Sequence, residues 1–195
     1  MDNINITLPD NSVKTFPEGI TAQDVADSIG PGLARAVVVA KIDGNLKDLN
    51  YKIFKDSSLE LFTGDTPEGH DTLLHSTAHL MAQAVKVLYP NAKFTIGPTI
   101  ENGFYYDFDL DDSFSEDSLV LIENKMKELS KKNQEIVRCE VSTSEAVNIF
   151  EKIGESYKVE IVGQINPEDT ISLYKQSDFT DLCRGPHVSN TSKIK

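Results

Sequence analysis

The chain has 195 residues, 39% hydrophobic and 26% charged, which excludes a low-complexity, collagen-like or wholly disordered polypeptide. Its 19 Lys and Arg against 31 Asp and Glu give a formal net charge of −12, so any nucleic-acid contact must be local rather than a general attraction. The longest aliphatic run, Ala36 to Ala40, is far short of the roughly 20 residues of a membrane span, Met1-Asp2-Asn3-Ile4-Asn5 carries no export leader, and the two cysteines are too few for a disulfide framework, so a reducing cytoplasmic location is expected.

Ile4, Ile6 and Leu8 alternate with polar residues ahead of Pro9-Asp10-Asn11-Ser12 and Val13-Lys14-Thr15-Phe16, which predicts a hairpin. Thr21, capping through Asp24, predicts a short helix with Val25 and Ile29 on one face, ended by Gly30-Pro31-Gly32. Ala36 to Ala40 reads as a buried strand, Asp43-Gly44 as a tight turn and Leu59 to Phe62 as a further strand. Residues 1–63 are therefore expected to form a small ubiquitin-like β-grasp domain, and the polar, helix-breaking residues 64–69 a linker.

Asp71 to Tyr89 reads as one helix stopped by Pro90, with Leu74, Ala78, Met81, Val85 and Leu88 as its apolar stripe. Phe94 to Gly97 and Gly103 to Leu110 read as strands joined by an Asn102-Gly103 turn. Ser115 to Lys132 reads as a helix with Leu119, Ile122, Met126 and Leu129 inward. Glu135 to Val141 alternates as a strand, and Ser142-Thr143-Ser144-Glu145 opens a helix that stops at Gly154. Tyr157 to Val162 and Ile171 to Tyr174 complete the strands. Residues 70–195 are expected to form an α+β domain with a mainly antiparallel sheet. Val188 to Lys195 shows no terminating pattern, which predicts a domain truncated at its C-terminus.

The chemistry concentrates in two clusters. His75-Ser76-Thr77-Ala78-His79 places two imidazoles one turn apart on one helix face, while Ser76 stands where a zinc protease would carry glutamate. Asp181-Leu182-Cys183-Arg184-Gly185-Pro186-His187 repeats the spacing in a turn. Two His plus Cys and His form a donor set compatible with tetrahedral zinc, or equally a metal-free acid–base pocket. Gly154-Glu155-Ser156-Tyr157-Lys158 reads as a turn that delivers Lys158 at a strand start, to a pocket or simply to solvent. The likeliest basic patch by composition is Lys125, Lys127, Lys131, Lys132 and Arg138, which a solvated helix face explains equally well.

These motifs, with Ile96-Gly97-Pro98 and Asn102-Gly103-Phe104-Tyr105-Tyr106-Asp107 between them, resemble the editing region of the threonyl- and alanyl-tRNA synthetases, and the bacterial threonyl family in particular. The resemblance covers essentially the whole chain. It implies a TGS domain of β-grasp fold followed by an editing domain that hydrolyses serine from mischarged threonine tRNA. It assigns His75, His79, Lys158, Cys183 and His187 to catalysis, and Gly97, Tyr106 and Asp181 to substrate binding. It implies no cofactor for editing, with zinc on His75, His79, Cys183 and His187 as the alternative, in a binding module without turnover. It places ATP, the aminoacylation zinc and the homodimer contacts in domains expected to follow Lys195. The partner it implies is the acceptor 3′ end of threonine tRNA carrying serine, with no membrane expected. Thr77 departs from the cysteine that many relatives carry between the histidines.

Overall fold

The alternating N-terminus forms β1 (Asn3–Thr7), which buries Ile4 and Ile6 and leaves Asn3 and Asn5 in solvent. This computed structural model of the chain describes residues 2–101, 103–111, 113–166 and 169–195, so the expected turn at Asn102 lies outside the described residues. β1 pairs with β2 (Val13–Pro17) across a turn in which Asn11 adopts a φ of 64°, a conformation Asn tolerates. β3 (Ile20–Thr21) leads into α1 (Ala22–Ile29), where Thr21 and Asp24 form the expected capping box. Gly30 ends α1, but Pro31 at once opens α2 (Pro31–Ala36), because its fixed φ suits a first helical turn.

β4 (Val37–Ile42) and β5 (Asn45–Lys47) are joined by Asp43 and Gly44, whose φ angles of 47° and 80° are those of a two-residue hairpin turn. β6 (Lys52–Ile53) pairs with β3, and β7 (Ser57–Thr63) completes a sheet of order β2-β1-β7-β4-β5. β1 and β7 run parallel, and the other pairs are antiparallel. α1 packs on β4 and β7. The core between them gathers Ile6, Val25, Val37, Leu49 and Leu59, all excluded from solvent. Each such side chain contributes about 1.5–3 kcal/mol by leaving water.

Helix α3 (Pro67–Leu88) begins inside the expected linker, ahead of Asp71. Pro67 is tolerated in a first turn, and Gly69 lets that turn pass the end of β7, since a Cβ there would lie 1.9 Å from the Thr63 carbonyl oxygen. Packing divides the chain within α3: one unit runs to Leu73 and includes Gly185–Ser189, and the other comprises Leu74–Arg184 and Asn190–Lys195.

In the second unit α3 buries Ala78, Leu80, Ala82 and Val85, but also Ser76, His79 and Gln83. Gln83 exchanges hydrogen bonds with the Gln176 side chain at 2.6 Å and the Gln176 carbonyl at 3.1 Å, which satisfies its amide. The long strands expected after α3 are reduced to two-residue ladders. β8 (Lys93–Phe94) pairs with β11 (Phe108–Asp109), and β9 (Thr99–Ile100) with β10 (Gly103–Phe104). Gly97 and Pro98 break the run, as these residues do inside a sheet.

α4 (Glu116–Lys131), capped by Ser115, buries Ile122 and Leu129, yet Leu119 is 58% exposed rather than inward. The apolar stripe extends one turn beyond the surface on which α4 packs. β12 (Ile136–Val141) is followed by the expected capping box and α5 (Thr143–Lys152). The largest departure is α6 (Ser156–Gly163), a helix where the sequence reads as a strand. Tyr157, Val159 and Ile161 alternate with Lys158 and Glu160, which imitates a strand. Packing against α5, with Val159 and Val162 on the Phe150 core, decides for helix. β13 (Ile171–Gln176) and β14 (Phe179–Leu182) complete an antiparallel β12-β13-β14 sheet. Among the described residues, no helix is long and apolar enough to cross a membrane.

Candidate functional site

α3 places His75 and His79 one turn apart, with their rings edge to face at 5.2 Å. Asp181 on β14 and Cys183 just past it face the same cleft. Gly97 and Tyr106 reach it from the segment between β8 and β11, and Lys158 from the first turn of α6. The cleft, about 830 Å³, lies entirely within the second unit. Lys158, expected at a strand start, lines the cleft from a helix.

At the floor of the cleft, Lys158 and Asp181 are only 3% and 2% exposed. Lys158 Nζ lies 2.6 Å from Asp181 Oδ1 and donates to Tyr106 Oη at 3.2 Å. Tyr106 donates to Asp181 Oδ2 at 2.6 Å, and the Leu182 N–H to Asp181 Oδ1 at 2.8 Å. Removing one partner of such a buried pair costs about 3–5 kcal/mol, because the other charge is stranded. Burial first, and the Asp181 charge second, push the Tyr106 phenol well above its ordinary value, so it remains a donor. Gly97 lets the Tyr106 ring sit against the backbone: a Cβ there would approach the ring to 2.2 Å.

His79 Nε2 is 3.6 Å from Asp181 Oδ2, but this contact is not an ion pair. Burial, then the charges of His75 and Lys158, hold His79 well below the usual histidine range, so it is neutral at pH 7. His75 is half-buried, and its Nε2 lies 3.3 Å from Cys183 Sγ. Cys183 is fixed by β13: its N–H donates to the Ser172 carbonyl at 3.2 Å, and Ser172 Oγ donates to the Cys183 carbonyl at 2.6 Å. The donor atoms of His75, His79 and Cys183 fall within 4.8 Å of one another, a spacing that three ligands of one metal ion can take. His187 is buried in the Gly185–Ser189 segment that packs with the first unit, where its N–H donates to Asp48 at 2.7 Å.

Ser172 and Glu155 are contributors that sequence reasoning passes over. Ser172 reads as one more position on an alternating strand. Glu155 reads as part of a turn, and only the fold shows its carboxylate enclosed. The expected basic patch is neutralised locally: Lys125 and Lys132 pair with Glu128, Lys127 with Glu123, and Arg138 with Glu140. The two pairings hold the Glu128 carboxyl down to about 2.

The fold is a β-grasp module followed by an α+β domain that carries the cleft. The TGS domain matches residues 4–63, and the "Threonyl and Alanyl tRNA synthetase second additional domain" matches residues 171–195. The chain is 51% identical over 195 residues to the threonine–tRNA ligase of Citrifermentans bemidjiense, covering 100% of this chain and 30% of that protein. It is 53% identical over 190 residues to that of Alkalilimnicola ehrlichii, covering 97% and 30% respectively. For the ligase of Geobacillus sp. the identity is 49% over 192 residues, 98% of this chain and again 30% of the relative. Along its whole length the chain is thus similar to threonine–tRNA ligases, with a TGS domain and a second additional domain in the same order. It spans about a third of the length of these relatives.

Proposed function

We propose that the cleft hydrolyses the ester between serine and the 3′-terminal ribose of threonine tRNA, and so clears mischarged product for the full-length ligase. A synthetic site for threonine discriminates against serine, which lacks one methyl, by only about 1–3 kcal/mol, so accurate translation requires a second, hydrolytic sieve. The observation that carries this reading is the buried Lys158–Asp181–Tyr106 network opening onto a cleft that also holds the His75–Cys183 pair. A volume of about 830 Å³ suits a terminal nucleoside with its aminoacyl group better than a free amino acid.

In this reading a water attacks the seryl carbonyl, and His75, the more accessible imidazole, takes its proton. Two of the three Lys158 N–H donors are spent on Asp181 and Tyr106. The third is available to the developing oxyanion or the departing ribose oxygen, where a fixed cation is most effective. The Asp181 oxygens already accept from Lys158, Tyr106 and the Leu182 N–H, so Asp181 anchors these groups more readily than it grips serine's ammonium. His79 is neutral and lines the wall. His187 enters through the Cys183-x-x-x-His187 sequence pattern.

Deacylation of seryl-tRNA by this chain and by the full-length enzyme tests the proposal. His75→Ala is expected to lose most hydrolysis while the domain stays folded and aminoacylation is retained. Wild-type clearance of seryl-tRNA by full-length His75→Ala would overturn it.

The clustering of His75, His79 and Cys183 also supports a second reading, a zinc site. Zinc held there would polarise an ester carbonyl or tie the three elements together. The neighbouring Lys158 ammonium, whose charge already opposes protonation of His79, opposes a second cation as well. Stoichiometric zinc, lost with folding on chelation, would establish this reading; a melting temperature indifferent to chelator supports the metal-free cleft.

A further inference from the structure

Behind the cleft lies a second buried ion pair that the proposed chemistry does not use. Glu155, 3% exposed, receives Lys86 Nζ from α3 on Oε1 at 2.6 Å and the Phe94 N–H of β8 on Oε2 at 3.1 Å. Lys86 also donates to the Ala92 carbonyl at 3.0 Å. One carboxylate thus ties together the end of α3, the strand β8 and the start of α6. Glu155 is moreover the N-cap residue of α6, and its side chain makes no hydrogen bond to that helix's first turn. Its carboxylate is committed to Lys86 and the Phe94 N–H, so its placement serves something other than helix start.

What it serves is three residues further along. Lys158 lies one turn after Glu155 on α6, on the same side of the chain, and a cavity of about 60 Å³ separates Lys86–Glu155 from Lys158–Asp181. Phe94, held by the same carboxylate, meets the Tyr106 ring edge to face at 6.0 Å, and Phe108 stacks on Tyr106 at 5.1 Å. Both groups that meet at Asp181 are therefore referred back to one anchor.

We propose that Glu155 and Lys86 are positioning residues that set the Lys158 ammonium and the Tyr106 hydroxyl on Asp181. The kinetic consequence rests on the hydrolytic reading above; the geometric consequence does not. A lysine released from Asp181 by even an ångström loses its aim at a developing charge, a displacement that can cost about a hundredfold in rate.

The test has two arms on the full-length enzyme. Peptide mapping after acetic anhydride treatment should show Lys158 protected in the wild type. In Glu155→Ala it should be modified at least tenfold faster, with Lys125 and Lys127 unchanged. Unchanged Lys158 reactivity would overturn the inference, whether or not seryl-tRNA is hydrolysed. In the second arm Glu155→Ala should lower kcat for seryl-tRNA hydrolysis by roughly 10- to 100-fold with KM within twofold, Glu155→Gln should lose less, and Lys86→Arg should remain near wild type. In a Lys158→Ala Tyr106→Phe background, Glu155→Ala should cost no further activity, because its effect passes through those two residues. Losses that multiply would assign Glu155 a merely structural role and refute the proposal. Absence of hydrolysis in the wild type would count against the hydrolytic reading alone, leaving the labelling result to decide this one.

Discussion

The two units invest their buried positions differently. The first builds its core around Ile6, Val25, Leu49 and Leu59, with Asp48, Ser57, Thr72 and His187 as its buried polar groups among the described residues. The second encloses His79, Gln83, Glu155, Lys158 and Asp181 within its interior, and beside its three-stranded sheet its other described strands pair only as two-residue ladders. Every enclosed charge there has a partner within hydrogen-bond distance, so the arrangement is tolerated, but it stabilises less than aliphatic packing of equal volume. A unit that gives up stability in this way marks where chemistry is to be sought.

Substitutions can break this contrast. Lys158→Ala is expected to have the largest effect. It strands Asp181, costs the second unit about 3–5 kcal/mol in denaturant unfolding, and abolishes seryl-tRNA clearance roughly 100-fold or more. Full activity in a folded variant would remove Lys158 from the site. Leu59→Ala should cost the first unit about 2–5 kcal/mol, and amide exchange resolved by residue should report the loss across β1, β4 and β7 while α5 and α6 keep their protection. Equal loss in both units would show a single cooperative block instead of two.

Acid sharpens the comparison further. The folded state holds His79 below its unfolded value near 6.5, so the unfolded chain binds the extra proton. Stability from this group is complete above about pH 6.5 and declines as pH falls below that value toward the depressed folded value. In the first unit Asp43 lies below 3.8, held down mainly by the Ser58 N–H, so its contribution persists until pH drops below that range. Exchange protection should therefore fail in the second unit at a higher pH than in the first, and His79→Gln should narrow the gap. The smallest effect is expected for Cys139→Ala on β12, away from the cleft lining: hydrolysis near wild type and a stability change below about 1 kcal/mol in thermal melts.

Much of this was legible in the sequence because the signals were local. The capping boxes at Thr21 and Ser142, the Asp43-Gly44 turn and the histidine spacing on α3 each rest on neighbours within four residues. The failures are tertiary. Tyr157 to Val162 alternates like a strand until α5 supplies a partner for a helix, and Leu119 sits on an inward stripe with nothing beneath it. His75, Cys183, Lys158 and Asp181 could be named from their motifs, but no spacing in the sequence shows that Asp181 takes three donors. Nor does it show that Glu155, three residues before Lys158, turns away from its own helix.

The parallel pairing of β1 with β7, Ile6 opposite Ser57, also bears on how the protein is made. The β1–β2 hairpin can close as soon as it leaves the ribosome, but the central strand order needs a segment synthesised much later. At about 5–20 residues per second the hairpin waits roughly 2–9 s for Ser57–Thr63 to follow. During that interval Ile4 and Ile6 are exposed on a nascent chain, so Asn5 between them and Asn3 and Thr7 on either side protect against aggregation as well as shaping the strand's outer face.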